Sequence, residues 1–467
     1  MLFSSISFLY VFLPIVLLIY FAVPSRFKNY VLLAASLIFY FYGEPIYTLL
    51  LVFSSVSDYI HSLAIEKHRG TSRAKHILTS SIIINIAMLG FFKYTDFFIG
   101  TLNSITGASI PLTNVPLPIG ISFFTFQTMS YTIDVYRGRV HAQKNLATFA
   151  TFVCLFPQLI AGPIVRYSDI ATELEHRTHT ISSVAEGIRR FAFGLGKKVI
   201  IANACGEFCA AFRDSADKST LFFWVYAAAF SLQIYFDFSG YSDMAIGLGR
   251  MFGFSFPENF NYPYISRSIT EFWRRWHMTL GGWFRDYVYI PLGGNRTKAS
   301  RWLLNILIVW MLTGLWHGAA WNFVVWGIFF GILLLIEKLW LLKVLEKLPR
   351  VISHIYVIFL VIISFVIFNA ESNTGMISDI MGLFALSSFP AVSFDALYYL
   401  ESYAVLLIVA IIGATPLPKF IYTKFKSTLA GSKLSYIIEP LSVAVLLIVC
   451  TSYLIDDSFN PFLYFRF

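Results

Sequence analysis

Between Leu303 and Ile336 the chain runs for about 34 residues without an Asp, Glu, Lys or Arg. Only a helix satisfies its own backbone in a medium that lacks water, so a run of this kind is helical and enters a membrane. As one straight helix it would extend roughly 50 Å, too long for a ~30 Å hydrocarbon core. A bent pair of shorter helices is expected instead, with the bend at Gly314-Leu315-Trp316-His317-Gly318-Ala319-Ala320. That bend holds His317 at membrane depth. A titratable ring is costly there and reads by default as a functional site, so His317 is the candidate base of an intramembrane enzyme. The competing reading is a structural histidine hydrogen-bonded at a helix break.

The rest of the sequence supports the same solvent. Of 467 residues, 57% are hydrophobic and only 13% charged, which excludes an ordinary soluble domain and predicts an all-α polytopic membrane protein. The net charge of +9 does not form a stripe with interleaved aromatics, which argues against nucleic acid. The basic residues gather at the ends of apolar runs, as the positive-inside rule requires. Taking those clusters as cytoplasmic gives runs at 6–23, 31–42, 46–64, 77–98, 119–136, 199–212, 221–248, 351–368, 404–414 and 437–454, besides the bent pair. The first run lacks a cationic front end and a small-residue cleavage site and is expected to remain as a membrane helix. Run 146–165, interrupted by Pro157, Gly162 and Pro163, reads as a broken, re-entrant segment. Both termini are expected outside the cytoplasm, and residues 1–467 are expected to form one membrane domain. Within it, 250–301 is a basic, aromatic cytoplasmic block and 456–467 an aromatic tail. The four cysteines show no Cys-x-x-Cys spacing and predict neither disulfide nor metal. His176 and His179 lack a second ligand pair, so no metal site is expected.

Four motifs stand in order along the chain: Tyr235-Phe236-Asp237-Phe238-Ser239-Gly240-Tyr241-Ser242-Asp243, the stretch from Phe272 to Leu280, Tyr289-Ile290-Pro291-Leu292-Gly293-Gly294-Asn295, and Leu315-Trp316-His317-Gly318. In these the chain resembles the membrane-bound O-acyltransferases (MBOAT). Within that superfamily it is most similar to the bacterial alginate O-acetyltransferase and cell-wall O-acetylation branch. The resemblance implies a ring of roughly ten to twelve transmembrane helices, with re-entrant and interfacial helices, around a thinned core. It implies an acyl donor entering from the cytoplasm, an acceptor approaching from outside, and location in a bacterial plasma membrane. His317 matches the family's invariant catalytic histidine, and His277 its second active-site position.

The chemistry asks for such residues independently. A hydroxyl attacking a thioester carbonyl needs a base within hydrogen-bond reach, and neutral imidazole supplies one. For His277 the alternative is a histidine that caps a helix or binds a carbonyl. Arg267, Arg274, Arg275, Arg285, Arg296 and Arg301 share the basic block, and arginine forks suit the phosphates of coenzyme A, although topology explains their placement as well. The residues expected to hold the donor are Arg274, Arg275, Trp276, Trp316 and Asn295, with acetyl-CoA a substrate and no cofactor permanently bound. Asp237 and Asp243 fall in an apolar helix and are expected to pair, with Tyr241, Ser242 or an arginine of the following block as candidates.

The tail Pro461-Phe462-Leu463-Tyr464-Phe465-Arg466-Phe467 is too aromatic to stand in water and is expected to fold back or dock a partner. Tyr464 is a candidate acyl relay, since a phenol ester stays activated, against the alternative of an interfacial anchor. The family implies a separate extracytoplasmic partner of SGNH-hydrolase type that completes transfer to a polysaccharide. Two other readings stay open: a transporter or flippase of an acyl donor, and a lipid or protein acyltransferase of the same superfamily.

Overall fold

The computed structural model describes residues 1–386, 388–456 and 462–463. The described residues form helices and no strands. Six helices are long and apolar enough to cross a membrane, at Tyr47–Lys67, Ser72–Thr106, Thr220–Met251, Ala299–His317, Arg350–Phe368 and Leu429–Asp456. A pair bent by 59°, Phe394–Ser402 with Ala404–Gly413, makes a seventh when taken as one span. The expected ten to twelve included shorter apolar helices, such as Ile121–Tyr136 and Trp321–Ile336, which fall below full-span length. Run 199–212 likewise becomes a π-helical turn, Lys197–Ala202, followed by the short helix Asn203–Asp214. The chain is a multi-pass membrane protein.

The described chain divides into two compact units, Met1–Phe191 with Ser242–Pro257, and Ala192–Tyr241 with Glu258–Phe467. The first contains α1 (Leu13–Ala22), α2 (Tyr47–Lys67), α3 (Ser72–Leu89) and α4 (Ile121–Tyr136). A polar seam ties three of them. The buried Asp58 of α2 accepts from Ser81 Oγ (2.6 Å) and Asn85 Nδ2 (2.8 Å) of α3, and Asn85 accepts from Thr128 Oγ1 of α4 (3.2 Å). Hydrogen bonds of this kind join helices where apolar packing has no advantage over lipid. The broken segment is present as two pieces, Leu146–Cys154 and Phe156–Leu159. The break falls at Leu155, ahead of the prolines and Gly162, and Pro157 lies in the first turn of the second piece, where its missing N–H costs nothing. The amide freed at Phe156 donates to Ser36 Oγ at 3.0 Å.

The second unit has an aromatic core. It packs α5 (Thr220–Met251, up to Tyr241) and the basic block with its short helices α6 (Ile269–Trp273) and α7 (Met278–Phe284). It also takes in α8 (Ala299–His317), α9 (Trp321–Ile336) and α10 (Arg350–Phe368). The 34-residue apolar run is therefore a hairpin of two helices broken at Gly318–Ala320, as its length demands. Glycines permit the close crossing. A Cβ on Gly314 would lie 2.2 Å from Phe323 O, and one on Gly327 would lie 2.4 Å from Trp310 O. Gly318 is extended, a conformation open to any residue, yet a Cβ there would stand 2.1 Å from the Phe323 ring. Space, not backbone freedom, requires glycine at this corner.

Candidate active site

His317 is the last residue of α8 and is buried. Its ring meets Trp326 edge-on at 5.1 Å and Phe368 at 5.4 Å, so the start of α9 and the end of α10 wall it in. Asn322 Nδ2 donates to Phe368 O at 2.9 Å and fixes those two helix ends against each other. The Trp316 ring lies 5.1 Å from His317 and 5.8 Å from His277. The two imidazoles are 6.5 Å apart, centroid to centroid.

His277 is placed by a different device. After α6 the backbone of 275–278 pairs with that of 259–261: Asn261 N donates to Arg275 O (2.9 Å) and Met278 N to Asn259 O (3.0 Å). Between those bonds His277 adopts φ 45°, ψ 52°, a left-handed conformation that is uncommon outside glycine and concentrates at functional sites. Asn259 Oδ1 accepts from the Thr279 amide (3.3 Å) and the Thr279 hydroxyl (2.9 Å), so the atom facing His277 Nδ1 at 3.1 Å is an oxygen. Nδ1 therefore carries the proton. Nε2 keeps its lone pair, is buried, and has no hydrogen-bond partner among the described residues. Burial pushes the imidazole down to about 3, so it stays neutral at any physiological pH.

A cavity of about 600 Å³ opens beside His277. Arg274, Arg285 and Lys338 supply its positive charge, and Trp273, Trp310 and Tyr289 its aromatic walls. Arg285 is partly committed to Asp286, at 2.7 Å. Burial, and then the nearby Arg274, hold the Lys338 ammonium below its usual range. Like charges brought together on one wall favour an anionic ligand. Ile306, Val309, Trp310 and Thr313 of α8 line the same cavity, and His317 lies one turn beyond Thr313 on that face.

Glu337, just past α9, anchors the mouth. Its buried carboxylate accepts from Ile269 N (2.6 Å), Thr270 N (2.8 Å) and Thr270 Oγ1 (2.7 Å). These are the orphan donors at the start of α6, the helix that leads into Arg274 and His277.

The other expected site residues are scattered. Arg275 is bound to Glu271 (3.0 Å) and to Asn261 O (3.1 Å), and it lines a separate cavity of about 890 Å³ with Arg267, Arg274 and Arg350. Trp276 stacks on Phe272 at 5.5 Å inside the aromatic core and does not line the cavity beside His277. Asn295 is exposed in the loop after Gly294. Asp237 pairs with Lys198 at 2.5 Å and Asp243 with Arg190 at 2.9 Å. Both cations precede the helix in sequence, where the following block was the expected source. Tyr464 lies outside the described residues. Its neighbours are described: Leu463 N donates to Asp237 Oδ2 at 2.7 Å, and the buried Phe462 ring stands 4.9 Å from Tyr241 and 5.9 Å from Phe238. Phe238 in turn is 4.7 Å from His277. Among the described residues no cluster of three or more His, Cys, Asp or Glu is arranged to hold a metal.

A buried imidazole lining a cationic, aromatic-walled cavity, with a second one 6.5 Å from it, in a multi-pass membrane protein describes a class of intramembrane group-transfer enzyme. The chain belongs to the MBOAT, membrane-bound O-acyltransferase family, which matches residues 114–378, and is an O-acyltransferase. It is 40% identical to the probable alginate O-acetylase AlgI of Azotobacter vinelandii, over the whole of both chains. It is 44% identical to the protein of that name from Pseudomonas aeruginosa, over 80% of this chain and 72% of that one. The peptidoglycan O-acetyltransferase of Helicobacter pylori is 34% identical over 83% of this chain and 80% of its own.

Proposed function

We propose that the protein takes acetyl from cytoplasmic acetyl-CoA and supplies it for O-acetylation of an extracytoplasmic polysaccharide, an alginate-like exopolymer or a cell-wall glycan. The cavity that joins Arg274 and Lys338 to His277 carries this reading. Its cations suit the phosphates of the donor, and its inner end suits the thioester. The names of the relatives, alginate O-acetylase and peptidoglycan O-acetyltransferase, support acetyl as the group and a polysaccharide as the acceptor. A separate extracytoplasmic partner of SGNH-hydrolase type completes the transfer, and the chain works in a bacterial plasma membrane with both termini outside the cytoplasm.

The two histidines divide the work. With Nδ1–H committed to Asn259, His277 cannot donate to the carbonyl oxygen, and an imidazole depressed to about 3 is a weak base. It lines the cavity as a fixed, neutral ring and leaves the proton of the attacking hydroxyl to the other histidine. His317 takes the proton as the new C–O bond forms, and returns it to the thiolate as the C–S bond breaks. The first hydroxyl to be acylated is that of Tyr464, which then passes the acetyl outward. The test is mass spectrometry of the purified protein, wild type and His317→Ala, after incubation with isotopically labelled acetyl-CoA. Free coenzyme A and label on Tyr464 in the wild type alone are expected. Turnover without label would sink the relay and leave direct transfer. No turnover, with or without the partner, would sink the acetyltransferase reading.

A further inference from the structure

The first unit holds a second polar cavity, of about 340 Å³, bordered by Arg26, Lys28, Asn29, Glu175, Arg177 and His179. Lys28 opens the helix Lys28–Gly43 directly after the turn that follows α1. Arg177 and His179 lie in the connection between the helices Tyr167–Glu175 and Ile181–Gly196. Each cation is held in place. Arg177 donates through Nη2 to Asn29 Oδ1 at 2.8 Å, Asn29 Nδ2 donates to Leu174 O at 2.8 Å, and the guanidinium packs 4.6 Å from the Phe254 ring centroid. Lys28 Nζ sits 4.7 Å over the Tyr20 ring. The Tyr20 hydroxyl donates to Phe252 O at 2.8 Å, which leaves its oxygen to accept from His179 Nε2 at 2.9 Å.

The positive charge of this arrangement is only partly balanced. Arg177 Nη1 is buried and makes no hydrogen bond of good geometry among the described residues, although the Tyr20 hydroxyl and Glu173 both act on the guanidinium. Three cations, Arg26, Lys28 and Arg177, border the space against the carboxylate of Glu175, with that of Glu173 also acting on Arg177, so positive charge is still in excess. Burial and the neighbouring Arg177 hold the Lys28 ammonium below its usual range, as unneutralised like charges do. The flanks are apolar and open: Phe21, 5.6 Å from the His179 ring, and Phe27, under Arg26 at 4.8 Å, are 45% and 44% exposed. Exposed aromatic side chains beside a cationic pocket are the surroundings of a lipid's glycerol and acyl chains, at the basic end of a membrane helix.

We propose that this cavity binds a phosphate group, and that its source is the headgroup of an anionic phospholipid in the cytoplasmic leaflet. The site is distinct from the one that handles acyl groups and does not depend on that assignment. The test is native mass spectrometry of the delipidated full chain titrated with phosphatidylglycerol, with phosphatidylcholine and with inorganic phosphate. Wild type is expected to retain one phosphatidylglycerol under conditions that strip phosphatidylcholine, and Lys28→Glu to weaken that retention roughly tenfold or more. Arg177→Gln should do the same, and Lys28→Glu covers the case in which loss of packing on Phe254 unfolds the arginine variant. Equal retention by wild type and Lys28→Glu, or no preference over phosphatidylcholine, would overturn the proposal. Inorganic phosphate that binds with Lys28 dependence while phosphatidylglycerol does not would keep the phosphate site and overturn the lipid source.

Discussion

At His277 two local bonds and burial decide what one ring can do. The Thr279 amide identifies the Asn259 oxygen, that oxygen holds the Nδ1 proton, and burial keeps the ring neutral. In the unfolded chain the same ring titrates near the ordinary value of about 6.5. Its folded value is depressed, so its contribution to stability is complete above that pH and is lost as pH falls toward 3. Melting temperatures of wild type and His277→Gln at pH 7.5 and pH 5 check this: the wild type should lose more on acidification than the variant. For the proposed base, His317→Ala should lower kcat by ~10²–10⁴ with little change in donor affinity, read by steady-state kinetics beside a coenzyme A binding measurement.

At the scale of elements, the hairpin of α8 and α9 fixes His317 by close backbone approach. Gly314→Ala would press a methyl against Phe323 O, 2.2 Å away, and push the helices apart one turn before the histidine. A loss of about 1–3 kcal/mol is expected from the overpacking, together with loss of turnover, measurable by thermal unfolding and activity. Glu337 makes a complementary case. All three groups on its carboxylate are donors, so Glu337→Gln would turn an NH2 against an N–H or O–H. A cost of about 1–3 kcal/mol and a raised KM for the donor are expected, because α6 leads directly into Arg274. The hairpin itself was legible from the length of the run and the glycines at its centre. Glu337 was not. In sequence it is one more charge at the end of an apolar run, and only folding brings it to a helix that begins 68 residues earlier.

For the whole molecule, hydropathy and charge conveyed the all-α membrane class, while which apolar runs are long helices and which are short ones is seen only in the folded chain. Four motifs conveyed the family. The candidate site was legible where chemistry singles out a residue type, as with the two histidines that the fold brings to 6.5 Å from each other. It was illegible where position alone confers the role: Asn259 and Lys338 look ordinary in sequence, while Trp276 looks functional and is core. The stripe of Ile306, Val309, Trp310 and Thr313 leading to His317 was the readable signal for the cavity wall. Removal of residues 462–467 should leave the Lys198–Asp237 pair in place and donor binding intact while abolishing onward acetyl transfer. Coenzyme A binding and polysaccharide acetylation, measured on the same truncated protein, separate the two.

The bond from Leu463 to Asp237 joins residues 226 apart in the chain. During synthesis Asp237 therefore enters the bilayer long before the ribosome has made the amide that completes its hydrogen bonding. Until then the nascent protein can have every crossing inserted and still lack a finished reaction chamber. A premature stop codon at or just before position 463 would accordingly yield a protein that reaches the membrane with Asp237 short of that bond, and silent.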